Sequence, residues 1–164
     1  MPAPILIFAV GNESRGDDAL APLLLRRLQE WVASERLGEQ IELLEDFQLQ
    51  VEHVADMSGR RLVLFVDAGM DTPEPYVFYR VEVSDSPVLF SHALKPEALL
   101  AVYRQVYRET PPPIFVLCIR GERFDLGDTL SLKAEIRLEA ALGFMRSLLR
   151  ETDIPSLEKR AGGR

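Results

Sequence analysis

Residues 4–31 read PILIFAV, then GNESRG, then DDALAPLLLRRLQEW, and this stretch restricts the chain to a small set of folds. Ile5, Leu6, Ile7, Phe8 and Val10 form a short apolar run, the pattern of a strand covered on both faces in a parallel sheet. Gly11 and Gly16 bound the loop that follows and can supply positive φ for the turn out of the strand. Leu20, Leu23, Leu24, Leu28 and Trp31 then recur at helical spacing. Pro22 is tolerated if the helix starts near Asp18, because first-turn N–H groups lack a helical acceptor. Asp17 or Asp18 is then placed to cap those N–H groups. The other carboxylate is left to point across the carboxyl edge of the sheet, where ligands of open α/β sheets bind.

The remaining chain repeats the strand–helix alternation. Residues 41–45 form a second strand that runs into Asp46, Phe47 and Gln48. A short helix over 51–57 carries Val51, Val54 and Met57 inward, and residues 61–66 form a third buried strand that delivers Asp67. Residues 76–83 alternate in polarity, fitting an antiparallel strand with one wetter face. A loop then presents His92, and Pro96 opens a helix over 96–108. Residues 114–119 are the last buried strand, and a long helix over 131–150 has Ile136, Ala140, Leu142, Phe144 and Leu148 as its apolar positions. The expected fold is a single three-layer α/β/α domain over residues 1–152, hydrolase-like, with a mostly parallel twisted sheet of about five strands. Residues 153–164 read as a disordered tail.

At 164 residues the chain can build one domain with a sizeable core, and its 47% hydrophobic content is that of an ordinary globule. The formal net charge of -7 repels phosphate backbones, which argues against nucleic acid as a partner. Cys118 is the single cysteine, so neither an internal disulfide nor a thiolate cluster can form. No apolar run reaches membrane-spanning length and no leader pattern opens the chain. The expectation is a cytoplasmic protein without membrane contact.

Three side chains share one structural address. Asp18 follows the first strand, Asp67 ends the third, and His92 follows the fourth, so all three can converge at the carboxyl edge. Two carboxylates and an imidazole suit a borderline divalent ion such as zinc, nickel or iron, or can supply a base for metal-assisted hydrolysis. Taken singly, each is the kind of residue more often found as a cap, a turn or a surface group. Other motifs fail. Gly11 and Gly16 have phosphate-loop spacing, but Asp17 and Asp18 stand where Lys and Ser/Thr are needed. Cys118 reads as a core residue and His53 as a surface or structural one.

These residues resemble the hydrogenase maturation endopeptidases, which trim the C-terminal extension of the large subunit of nickel–iron hydrogenases. The resemblance covers about residues 5–149. It is carried by Gly11-Asn12 after the first strand, the pair Asp17-Asp18 ahead of Pro22, Asp67-Ala68 after the third strand, and Ser91-His92 before a leucine-rich helix. It extends to Gly121, Phe124, Gly127, Leu130 and Ser131 on the way into the last helix. It implies a twisted sheet between helices, a monomer, and a hydrogenase large-subunit precursor as partner and substrate. Asp18, Asp67 and His92 take the metal-ligand and catalytic positions of an aspartyl-type, nickel-dependent protease. The nickel is supplied by the substrate, so the resting enzyme need not hold metal tightly. Asp46 matches an acidic family position, while Phe47 and Gln48 replace small residues, which makes these three the expected substrate-recognition segment. Ala19 and Ala21 stand where glycines are common. A receiver-like phosphoacceptor signalling domain is the alternative, since it too uses an acidic pair and an Asp ending the third strand. Against it, six residues separate the first strand from the pair, and Arg120 stands where a Lys is required. A peptidyl-tRNA hydrolase would need a His soon after Asn12, and none precedes His53.

Overall fold

The computed structural model describes residues 2–82 and 94–161. Five strands form one sheet: β1 (Ile5–Val10), β2 (Ile41–Asp46), β3 (Leu62–Gly69), β4 (Tyr76–Arg80) and β5 (Ile114–Arg120). Their order is β2-β1-β3-β5-β4. β1, β2, β3 and β5 are mutually parallel along the ladder, and β4 closes one edge antiparallel to β5. Alternation along the strands divides the core in two. Ile5, Ile7 and Ala9 face α1 (Leu20–Ser34) and α4 (Leu132–Leu148), whereas Leu6 and Phe8 face α2 (Val54–Met57) and α3 (Pro96–Tyr107). The architecture is therefore the expected three-layer α/β/α arrangement. Chain order reverses beside β1, because β2 lies on one flank and β3 on the other. Ligands of open α/β sheets bind at such a reversal. Among the described residues no helix is long and apolar enough to cross a membrane.

Three expectations are corrected. α4 buries Ala134, Arg137, Leu138, Ala141, Leu142, Met145 and Leu148, while Ile136 is 73% exposed and Ala140 also faces out. The helix is apolar on more than one side, so spacing alone leaves its rotation open. The observed rotation buries six apolar side chains and brings Arg137 to Glu74 and, at 3.0 Å, to Glu122. In the short turn of helix ahead of α2, Val51 faces outward while Val54 and Met57 are buried. Finally, the tail carries a helix, α5 (Ile154–Arg160). Asp153 caps it by accepting from the Ser156 N–H at 3.1 Å, and Leu157 is fully buried in the α1/α4 core. One such leucine contributes about 1.5–3 kcal/mol, and a single apolar anchor is too sparse a pattern to read from spacing.

Candidate active site

The loop out of β1 is tied down at close quarters. A Cβ on Gly11 would lie 2.1 Å from the Asp18 carbonyl oxygen, so this glycine supplies space rather than positive φ. Gly16 does have φ +56, and a Cβ there would meet the Arg123 carbonyl oxygen at 2.4 Å. The loop is laced to the 121–131 segment by Gly16 N–H to Asp128 O at 3.1 Å, Asp17 N–H to Arg123 O at 2.6 Å and Gly127 N–H to Ser14 O at 2.7 Å.

The acidic pair then splits into two unlike groups. Asp17 is wholly buried. One of its carboxylate oxygens accepts from the Glu122 N–H at 2.7 Å, the Arg123 N–H at 3.2 Å and the Ser131 hydroxyl at 2.8 Å. The other accepts from the Ser131 N–H at 2.8 Å. Burial pushes the Asp17 carboxyl upward, but these donors outweigh it and hold it below the ordinary range. Neither Asp17 nor Asp18 caps α1, contrary to expectation, because a turn of 3-10 helix over Gly16–Ala19 leads directly into it.

Asp18 and Asp67 meet in one cleft of about 510 Å³ at the carboxyl edge, where the strand order reverses. Asp18 accepts from the Asn12 N–H at 2.6 Å. Burial raises its carboxyl above the usual value, partly offset by that hydrogen bond and by Arg15. Asp67 is pushed up to about 7, first by burial and further by the charge of Asp18, against the lowering effect of the Ala68 N–H at 2.7 Å. A carboxyl that titrates near neutrality can take a proton and return it, which is what general acid–base work requires. Two desolvated carboxylates that repel each other also favour a cation between them. His92 lies outside the described residues. Among the described residues, no group of three or more His, Cys, Asp or Glu comes together to hold a metal ion.

Phe47 and Gln48 line the same cleft, whereas Asp46 is turned away to His53. His53 is buried, with Nε2 at 3.1 Å from Asp46 Oδ2 and Nδ1 accepting from the Gln50 N–H at 2.8 Å. The structural role read for His53 rests on a partner that lies seven residues upstream at the end of β2. Cys118 is the register partner of Asp67, and its Sγ lies 3.2 Å from Thr72 Oγ1. Burial raises the Cys118 thiol, the Thr72 hydroxyl lowers it and Asp67 raises it again, so the setting disfavours the thiolate that a nucleophile needs. Because Asp17 is enclosed by Ser131, Glu122 and Arg123, it adds no third acid beside Asp18 and Asp67, so the acidic pair on which the receiver alternative depended does not act together in the cleft.

No family model matches the sequence, and no curated protein matches it. Solved structures do match. The hydrogenase maturating endopeptidase HybD from E. coli is 22% identical, with a TM-score of 0.70 covering 93% of this chain and 94% of that one. The NiFe hydrogenase maturation protease HycI from Thermococcus kodakarensis is 21% identical, with a TM-score of 0.69 covering 91% and 94%. A solution structure of an endopeptidase from Escherichia coli is 23% identical, with a TM-score of 0.67 covering 93% and 94%. The chain thus has the fold of these hydrogenase maturation proteases over most of its length.

Proposed function

We propose that this chain is an endopeptidase that removes the C-terminal extension of a nickel-loaded nickel–iron hydrogenase large-subunit precursor. The observation that carries the reading is the pairing of Asp18 with Asp67 in one desolvated cleft at the strand-order reversal, on a fold shared with proteases of hydrogenase maturation. Hydrolysis of a peptide bond needs a water turned toward the carbonyl and a proton for the departing amine. Asp67, half protonated near neutral pH, can serve both needs in turn. Burial holds Asp67 in that range, and the negative charge of Asp18 adds to it. The nickel belongs to the precursor: Asp18 and Asp67 would meet it, and His92 joins them on the resemblance of Ser91-His92 to the family motif. A monomer working in the cytoplasm, with no metal held tightly at rest, completes the proposal.

The test is incubation with nickel-loaded and nickel-free large-subunit precursors, read as a mobility shift on a gel. Trimming of the loaded form alone is the expected result. Equal trimming of both forms would remove nickel from the proposal, and trimming of neither would remove the proposal itself.

A further inference from the structure

We infer that His53 is a positioning residue for substrate choice: it fixes the turn after β2 so that Phe47 stands at the mouth of the acidic cleft and, with Met70, seats an apolar side chain of the precursor. The identity of the substrate rests on the endopeptidase reading above, but the geometry of the latch does not.

A buried imidazole is costly unless both ring nitrogens are satisfied, and here both are used on one short turn. Nδ1 accepts from the Gln50 N–H at 2.8 Å, so the proton of the neutral ring is on Nε2 and donates to Asp46 Oδ2 at 3.1 Å. The other Asp46 oxygen accepts from the Phe47 N–H at 2.7 Å. The His53 N–H returns to the Gln50 carbonyl at 3.0 Å. One side chain therefore closes both ends of the turn. The ring is itself braced edge-on against Phe8, with centroids 4.7 Å apart.

Within that turn the side chains divide. Leu49 is buried in the α2/α3 core and anchors the segment. Phe47 is 72% exposed, although it is the largest apolar side chain the turn carries. Met70, from the chain just past β3, is 57% exposed and lines the same cleft as Phe47, Asp18 and Asp67. Neither side chain contributes much burial to the fold, yet together they flank an acidic floor. A substrate that brings a cation to the floor and an apolar side chain to the rim satisfies both. Covering the rim also excludes water from the carboxylates, which strengthens their interaction with charge. Among the described residues nothing else accounts for a turn so firmly held that presents a bare aromatic ring.

The experiment compares wild type with His53→Leu, Phe47→Ala and the double variant on a nickel-loaded precursor that wild type trims. His53→Leu is expected to raise KM about tenfold with kcat unchanged, as for loss of one well-placed apolar contact. Phe47→Ala is expected to do the same, and the double variant to be no worse than either single one. His53→Gln, which restores a donor toward Asp46, is expected to recover most of the loss. Independently of activity, exchange of the Gln50 amide is expected to speed by about tenfold or more in His53→Leu while β1 and β5 amides keep their protection. Additive effects in the double variant, a fall in kcat at constant KM, or unaltered Gln50 exchange would overturn the inference. If wild type trims no precursor, the endopeptidase reading fails, and amide exchange still decides whether His53 holds the turn.

Discussion

Two buried carboxylates in neighbouring corners of the molecule behave in opposite ways. Asp17 sits where the first loop meets the 121–131 segment and receives four hydrogen bonds, so its charge is welcome there and its carboxyl is held low. Asp67 sits at the end of β3 with one backbone donor and a negative neighbour, and its carboxyl is pushed up to about 7. Burial pushes both carboxyls upward, and the supply of donors reverses the outcome at Asp17 alone. The Asp17 corner is built to hold two loops together. The Asp67 corner leaves a charge unanswered, which is the condition for binding a cation or exchanging a proton.

The largest expected consequence is at Asp17. Replacing it with Ala leaves buried donors without an acceptor and should cost about 3–5 kcal/mol. Thermal unfolding should then show a fall in Tm of roughly 10 °C or more. A change of less than a few degrees would mean that the two loops do not depend on this carboxylate.

Asp67→Asn should act in the other direction. Because the folded-state value of Asp67 lies above its unfolded value, its contribution to stability is fully present below about pH 4 and is lost as pH rises through about 7. Removing the ionisable group should therefore raise Tm at pH 8 by roughly 5 °C or more, equivalent to at least about 2 kcal/mol, with a smaller rise at pH 5 and almost none at pH 3. Asp17 has the reverse sign: its stabilisation is present above the ordinary carboxylate range and is lost as pH falls below it. Melting curves taken with a chelator present, between pH 3 and 8, compare the two directly.

A smaller effect isolates the coupling between the cleft carboxylates. In Asp18→Asn the midpoint of Asp67, followed by carboxyl carbon NMR, should drop while remaining above the usual value, since burial is the larger cause and Asp18 the lesser. The smallest effect is expected at Ile136, which is 73% exposed: Ile136→Glu should change stability by no more than about 0.5 kcal/mol.

Much of this architecture was legible in the sequence because it depends on local pattern. The apolar runs at 5–10, 62–66 and 114–119 announce strands buried on both faces, and their ends place Asp67 at the carboxyl edge. The edge strand β4 was legible from its alternation. What escaped depends on partners distant in sequence. Asp17 receives donors from residues more than a hundred positions away, so it could not be told from a helix cap. The Asp46–His53 pair spans a turn whose path is set by Leu49 entering the core. On the buried face of α4, Arg137 finds its partner Glu74 63 positions away, and α5 is held by one leucine that joins the α1/α4 core. Phe47 and Gln48, singled out by the family resemblance, do line the cleft, while Asp46 in the same segment is turned away to His53.

The most direct measurement is processing of a nickel-loaded large-subunit precursor by Asp67→Asn, compared with wild type at pH 7. The account predicts that wild type trims the precursor and that the variant, folded and at least as thermostable, leaves it uncut. Trimming by Asp67→Asn at the wild-type rate would contradict the account.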